Sequence, residues 1–182
     1  MKVIVAVTGA SGGVYARKCL EQLLLSAEVE QVALIVSDKA QQVLSFEGVE
    51  LPVDDRIKPY SNDDMFAPVA SGSAGYDAMV VVPASMGSVG RIASGVSSSL
   101  IERAADVMLK ERRRLVVVVR ETPYSLIHLR NMTTLTEAGA VILPASPSFY
   151  SHPATIDEAI MTVVERIIAH LGVCQPHFEW GE

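Results

Sequence analysis

The sequence predicts a single α/β domain built on a doubly wound parallel sheet, with helices on both faces. Three observations lead there. Short β-branched apolar runs recur at Lys2–Val7, Val32–Val36, Ala78–Val82, Leu115–Val119 and Ala140–Leu143. Helical patterns separate them, as the crossovers between parallel strands require. Each run is unbroken rather than alternating, the pattern of a strand covered on both faces. The 182 residues suffice for one domain with a sizeable core. That domain is expected to span 1–182, with 1–172 as the core and 173–182 as a C-terminal tail.

The first strand runs into Thr8-Gly9-Ala10-Ser11-Gly12-Gly13, and a helix is expected from Val14 to Leu25. In a strand, Gly-rich turn and helix, backbone N–H groups and the helix dipole face an anion. The second strand ends at Ser37-Asp38. A helix from about Lys39 to Phe46 leads to Glu47. From Gly48 to Ser73, Pro52, Pro59, Pro68 and several Asp interrupt every pattern. This stretch is expected to be an irregular excursion near the site, acting as a lid or a subunit contact. The third strand stops at Pro83, and Ala84-Ser85-Met86-Gly87-Ser88 forms a second small-residue turn before a helix. Ser99 with Glu102 is a capping box, opening a helix to about Arg112. Arg103, Asp106 and Lys110 fall on one face of it. The fourth strand ends at Arg120-Glu121-Thr122-Pro123. Thr122 is expected to cap the next helix and Pro123 to enter its first turn. Gly139 stops that helix. Thr155 with Glu158 opens the last one, which runs to Leu171 before Gly172. Its apolar stripe is Ile156, Ile160, Val163, Val164, Ile167 and Leu171, with Arg166 at the margin. Gln175 to Glu182 form a tail holding Trp180.

Composition narrows the function classes. The net charge of −6 argues against nucleic acid as the main partner. Hydrophobic residues make up 49% and mean hydropathy is +0.31. No run approaches the ~18 apolar residues that span a membrane, so no membrane association is expected. The apolar excess is expected to be buried between subunits. Cys19 and Cys174 are too few for a disulfide framework, and since Met1-Lys2 leads straight into a strand-like run, no signal peptide is expected. A cytoplasmic setting is expected.

The candidate chemistry sits at the carboxyl ends of the strands, where open α/β sheets bind ligands. Gly9 to Gly12, Ser37 and Ser85 to Ser88 should open on one edge, a layout that suits a mononucleotide or flavin phosphate and its sugar. Taken singly, the Gly-rich turn also reads as a tight connection, and Ser85 to Ser88 as a helix cap. No G-x-x-x-x-G-K-[ST] is present, and TGASGG does not match G-x-G-x-x-G. Asp38 can hold a ribose, which keeps a nucleotide-dependent reductase open, although no Tyr-x-x-x-Lys pair exists. Arg112, Arg113 and Arg114 read as a helix end that favours cations. Arg103 and Lys110 read either as ion-pair partners of Glu102 or Asp106, or as ligands of an anion. Tyr150 lies in a loop after the fifth strand and reads as a site residue or a half-buried loop aromatic. Arg166 reads as a surface charge. His170, Cys174 and His177 have no supporting cluster, and no metal is expected.

Several longer motifs carry a resemblance: TGASGG at Thr8, ASGS at Ala70, ERAADVMLKERR at Glu102, RETPYSLIHLRNM at Arg120 and GAVILPASPSFY at Gly139. From Lys2 to about Gly172 the chain resembles the UbiX-type flavin prenyltransferases, a family that has also carried the names aromatic acid, phenylacrylic acid and 3-octaprenyl-4-hydroxybenzoate decarboxylase. The resemblance implies a flavodoxin-like or Rossmann-like fold and a homododecamer with sites between subunits. It implies joining of a dimethylallyl group from dimethylallyl phosphate to N5 and C6 of reduced FMN, without a metal. The product, prenylated FMN, would serve a UbiD-type decarboxylase. By the same resemblance, Gly9, Ala10, Ser11, Ser37, Ser85, Met86, Gly87, Ser88 and Arg120 match FMN contacts. Tyr150 and Arg166 match contacts to dimethylallyl phosphate, with Lys110 and Arg103 as basic groups near its phosphate. Glu121 and Glu47 match site carboxylates, Glu121 being the better placed for proton transfer. The catalytic set is thus expected to be Glu121, Ser11, Glu47, Lys110 and Arg103. Many members carry Cys before Ser85 and Lys at the position of Gly87; this chain has Ala84 and Gly87. A flavin-dependent cysteine decarboxylase shares the fold, but its Pro-x-Met-Asn motif is missing. A non-catalytic FMN carrier is the other alternative.

Overall fold

Strands and helices alternate in the computed structural model, which describes residues 1–174. The order is β1 (Lys2–Val7), α1 (Gly13–Leu25), β2 (Gln31–Val36), α2 (Asp38–Glu47), β3 (Ile57–Tyr60), β4 (Ala78–Ala84), α3 (Met86–Ala93), α4 (Leu100–Lys110), β5 (Arg114–Val119), α5 (Leu126–Glu137), β6 (Val141–Pro144) and α6 (Ile156–Leu171). Two short 3-10 turns, Pro68–Ala70 and Gly72–Ala74, lie between β3 and β4. The sheet has strand order β3-β2-β1-β4-β5-β6, and every neighbouring pair is parallel. The chain moves outward from β1 to β3, then returns to β4 on the other side of β1. That reversal opens a crevice beyond the carboxyl ends of β1 and β4.

The pleat divides the core into two layers. Val3, Val5 and Val7 point to one face, where α1, α2 and α6 cover them through residues such as Leu20, Leu23, Leu44, Ile160, Val164 and Ile167. Ile4 and Ala6 point to the other, where α3, α4 and α5 contribute Val89, Ile92, Ala104, Ala105, Met108 and Leu135. Successive side chains on a strand alternate between faces, and helices on both faces bury the central strands β1, β4 and β5 while the edge strands β3 and β6 stay partly exposed.

Several expectations need correction. The excursion from Gly48 to Ser73 contains β3, which pairs with β2 in register Val32↔Ile57. It is an edge strand of four residues with a proline inside, so it carries no buried apolar run. The third strand continues through Pro83 and Ala84; the pairing with β5 becomes irregular between Val81 and Ala84, where Pro83 has no N–H to donate. The fourth helix ends at Lys110, not Arg112, because Arg112 adopts a left-handed φ of 56°. Ser125, not Thr122, caps α5: its hydroxyl accepts from the His128 N–H at 3.2 Å, and its own N–H donates to His128 Nδ1 at 3.2 Å. Pro123 therefore precedes the helix. Ile156 is 80% exposed and leaves the stripe of α6, where Ile168 is buried instead. The last strand begins one residue later than expected, at Val141. No helix among the described residues is long and apolar enough to cross a membrane. His177 and Trp180 lie outside the described residues.

Candidate functional site

Thr8 ties the two central turns together. It is buried at the end of β1, where its N–H donates to the Pro83 carbonyl at 3.2 Å. Its hydroxyl donates to the same carbonyl at 2.8 Å and accepts from the Ser85 N–H at 2.8 Å. One side chain thus fixes the turn after β1 against the turn after β4. Ser85 then caps α3: its hydroxyl accepts from the Ser88 N–H at 3.4 Å and lies 3.1 Å from the Ser88 hydroxyl. Ser37 caps α2 in the same way, accepting from Ala40 N–H at 3.2 Å. Three neighbouring strands therefore end in hydroxyl-capped or glycine turns that face one space.

That space is a cavity of about 480 Å³ lined by Thr8, Gly9, Ser37, Ser85, Gly87 and Ser88, among others. Gly9 is required by close approach, since a Cβ there would lie 2.7 Å from Lys39 Cβ. Ala10 and Ser11 sit beside the cavity rather than on its lining, and Met86 turns into the core with 8% exposure. Size, exposed turn amides and hydroxyls suit a phosphorylated flavin.

Glu47 closes the Gly-rich turn from below. Its carboxylate accepts from Gly12 N–H at 2.9 Å and Gly13 N–H at 2.8 Å. Burial pushes its pKa up, but the Ser11 hydroxyl, those two N–H groups and the Arg120 guanidinium outweigh it and hold the pKa below the usual value. Tyr15 feels Arg120 as well, although burial dominates and raises its pKa. Ser11, Glu47 and Arg120 thus form one electrostatic group at the crevice. Glu121, next in the chain, is exposed, and its carboxylate accepts from Thr122 N–H at 2.9 Å.

The basic residues do not gather. Arg103 donates to Asp106 at 2.6 Å and to the Ala70 carbonyl at 3.1 Å, and exposed Lys110 pairs with Glu111. Both lie on α4. Arg166 is exposed on α6, across the sheet from α4. Tyr150 is 69% exposed in the loop before α6. One chain brings Gly9, Ser37, Ser85, Gly87 and Ser88 together, whereas Arg103 and Lys110 lie on the opposite side of the sheet from Arg166. No group of three or more His, Cys, Asp or Glu placed to hold a metal occurs among the described residues.

The cavity also uses residues that the sequence did not single out as site residues. Asn62, from the excursion, accepts from Leu100 N–H through its carbonyl at 2.7 Å and from Ile101 N–H through Oδ1 at 3.1 Å. Arg91 and Glu102 face the same space. Glu102 was legible as a capping residue; nothing in the local pattern marks Arg91 or Asn62, whose partners come from other elements.

The family model described as Flavoprotein matches residues 1–172. The chain is 44% identical to the flavin prenyltransferase UbiX of Methanocaldococcus jannaschii over 188 residues, covering 100% of this chain and 99% of the relative. It is 41% identical to the flavin prenyltransferase UbiX of Pseudomonas aeruginosa, covering 100% and 94%. Among solved structures it is similar to AnUbiX (PadA1) in complex with FMN and dimethylallyl pyrophosphate, with a TM-score of 0.89, 41% identity and 98% of each chain covered. A dodecameric FMN-dependent UbiX-like decarboxylase from Escherichia coli O157:H7 matches with a TM-score of 0.91, 36% identity and 100% of each chain. With a full-length match at this identity and a hydroxyl-capped cavity at the switch point of its sheet, the chain belongs to the UbiX-type flavin prenyltransferase family.

Proposed function

We propose that this chain joins a dimethylallyl group from dimethylallyl phosphate to N5 and C6 of reduced FMN, giving prenylated FMN. The observation that supports it most is the cavity built from Gly9, Ser37, Ser85, Gly87 and Ser88, in a chain 41% identical to a protein solved with FMN and dimethylallyl pyrophosphate. Gly9, Ala10 and Ser11, the Ser85-Met86-Gly87-Ser88 turn and Ser37 would hold the flavin, with Arg120 at its edge. The reduced flavin supplies the electron-rich ring that accepts the prenyl group.

The residues of the chain then manage charge and protons. The allylic C–O bond breaks with its electron pair going to the phosphate. Arg103, Lys110 and Arg166 would stabilise that leaving group, and Tyr150 would add a hydroxyl donor. The prenyl group joins N5, which gives up its proton to the departing phosphate; ring closure then needs one proton added to the prenyl double bond and one removed from C6, transfers that Glu121 or the departed phosphate would carry. Glu47, held ionised by Ser11 and the Gly12 and Gly13 amides, fixes the turn on which the flavin rests.

With α4 and α6 on opposite faces of the sheet, neighbouring subunits would complete the donor site. Exposed apolar side chains give those neighbours a place to dock: Phe46, Phe66, Leu126, Ile127 and Phe149 are each at least 60% exposed. A homododecamer is the expected assembly, enclosing the reacting centre against water. The product would pass to a UbiD-type decarboxylase, and the setting would be cytoplasmic.

The test is mass spectrometry of flavin incubated with the protein, after reduction, and with dimethylallyl phosphate or its diphosphate. A flavin heavier by one five-carbon unit is expected. Unchanged FMN with both donors would point to a carrier instead, and an ene-thiol made from a cysteine-terminated peptide would point to a decarboxylase.

A further inference from the structure

Gly87 and Arg91 are one helical turn apart on α3, and both line the cavity. Gly87 has no side chain, and the Arg91 guanidinium leans over it: Nη1 lies 3.3 Å from where a Cβ on Gly87 would sit. The guanidinium is anchored from behind. Nε pairs with Glu102, and Nη2 donates to the Ser88 hydroxyl at 3.3 Å. Glu102 is only 3% exposed and is itself held by the Ser98 N–H at 2.9 Å, the Ser98 hydroxyl at 2.6 Å and the Ser99 N–H at 3.0 Å. Burial pushes the Glu102 pKa up, but the Ser98 hydroxyl, Arg91 and the Ser98 N–H outweigh it and keep the carboxylate ionised.

Those two bonds engage Nε and Nη2. Nη1 has no hydrogen bond among the described residues and remains on the cavity side, above the first turn of α3. A fork held at its base by a buried carboxylate and open at its tip is a preorganised donor. The α3 N-terminus, whose Ser88 N–H is taken by the Ser85 cap, adds the positive end of its dipole beside the guanidinium. Lys39 is the other cation on the lining. Two carboxylates also border the space, Asp38 and Glu102, and Glu102 is already paired.

We propose that Arg91 binds a phosphoryl group that enters this cavity, reaching it across the space that Gly87 leaves empty, with Glu102 as its positioning residue. Prenyl donor and flavin both carry such a group, so the inference rests on the function proposed above and adds a residue to it. Gly87 is then needed for what it lacks: a side chain at position 87 would meet the guanidinium.

The experiment compares FMN with riboflavin, which lacks the phosphate, by titration of the full-length protein. The KM for dimethylallyl phosphate is measured alongside. Arg91→Gln is expected to weaken FMN binding roughly ten- to a hundredfold, the range for a lost charge-assisted hydrogen bond, and to leave riboflavin binding unchanged. If the donor supplies the phosphoryl group instead, the donor KM rises by that factor and FMN affinity stays. Either result supports the assignment and says which ligand is held. Arg91→Lys should recover part of the loss, because it keeps the charge without the fork. Gly87→Leu, which leaves Glu102 and Arg91 in place but fills the gap, should reproduce the Arg91→Gln phenotype. The inference falls if Arg91→Gln changes neither constant, or if it weakens FMN and riboflavin equally, which would mark a structural role. Failure of the wild-type protein to bind FMN at all would overturn the functional reading itself; wild-type binding with an unaltered variant overturns only the role of Arg91.

Discussion

Thr8, Gly9, Ser37, Ser85 and Ser88 meet at one cavity inside one chain, whereas Arg103 and Lys110 lie on one side of the sheet and Arg166 on the other. The first group sits on turns at the ends of adjacent parallel strands. Its spacing is set by the sheet, and Thr8 locks it with hydrogen bonds to Pro83 and Ser85. The second group sits on helix flanks, largely exposed or engaged in pairs such as Arg103–Asp106 and Lys110–Glu111. The first group is thus gathered within a single chain. A large effect on chemistry with intact flavin binding is the signature of the second group; a loss of flavin binding and stability is that of the first.

The largest separation should come from Glu121. Glu121→Gln keeps its shape and removes the base, and general acid–base groups typically contribute ~10²–10⁴-fold. Turnover should fall by about that factor while FMN affinity holds. Wild-type turnover in the variant would transfer the proton to the departed phosphate.

A smaller effect is expected from Arg166→Ala, which should raise the donor KM by roughly tenfold, the cost of one charge-assisted contact. Flavin titration should not change. Equal loss of both would place Arg166 in folding or in the flavin half.

Thr8→Val tests the first half. It keeps volume but leaves the half-buried Ser85 N–H without its acceptor, at a cost of about 1–3 kcal/mol. Thermal denaturation should shift down by several degrees and FMN should bind more weakly; Thr8→Ser should restore both. An unshifted melting temperature would mean that the two turns hold their spacing without this stitch.

The smallest effect is electrostatic. The Glu47 pKa lies below its ordinary value of 4.5 in the folded protein. The unfolded chain therefore binds the proton first as pH falls. The stability that Glu47 contributes is present above the ordinary value and disappears as pH drops through the folded one. Glu47→Gln should flatten the acid limb of the melting temperature against pH. A limb unchanged in shape would assign acid sensitivity to other carboxylates.

Much of the flavin half was legible from residues alone. A strand that ends in TGASGG or in PASMGS, followed by a helical pattern, puts its turn at the carboxyl edge by the geometry of βαβ units, and local caps at Ser37, Ser99 and Thr155 appeared where their residue types allow. β3 was missed because an exposed edge strand with Pro59 carries no periodic apolar signal. Thr122 is a suitable cap by residue type, but the helix begins three residues later, where Ser125 accepts from the His128 N–H and donates its own N–H to His128 Nδ1.

What the sequence determined by itself was therefore local: strand and helix order, the two-sided burial of the sheet, the turns that face the ligand and the motifs of the family. These depend on periodicity and on residues within a few positions of one another. Only the tertiary structure decided which distant residues share a space. It set Arg91 against Glu102 and over Gly87, hung Asn62 on the first turn of α4, and ran the Glu47 carboxylate under Gly12 and Gly13. It also separated Arg103 from Arg166 by the thickness of the sheet. Such contacts follow from strand order and crossover direction, which bring remote segments together with no trace in the local pattern of either.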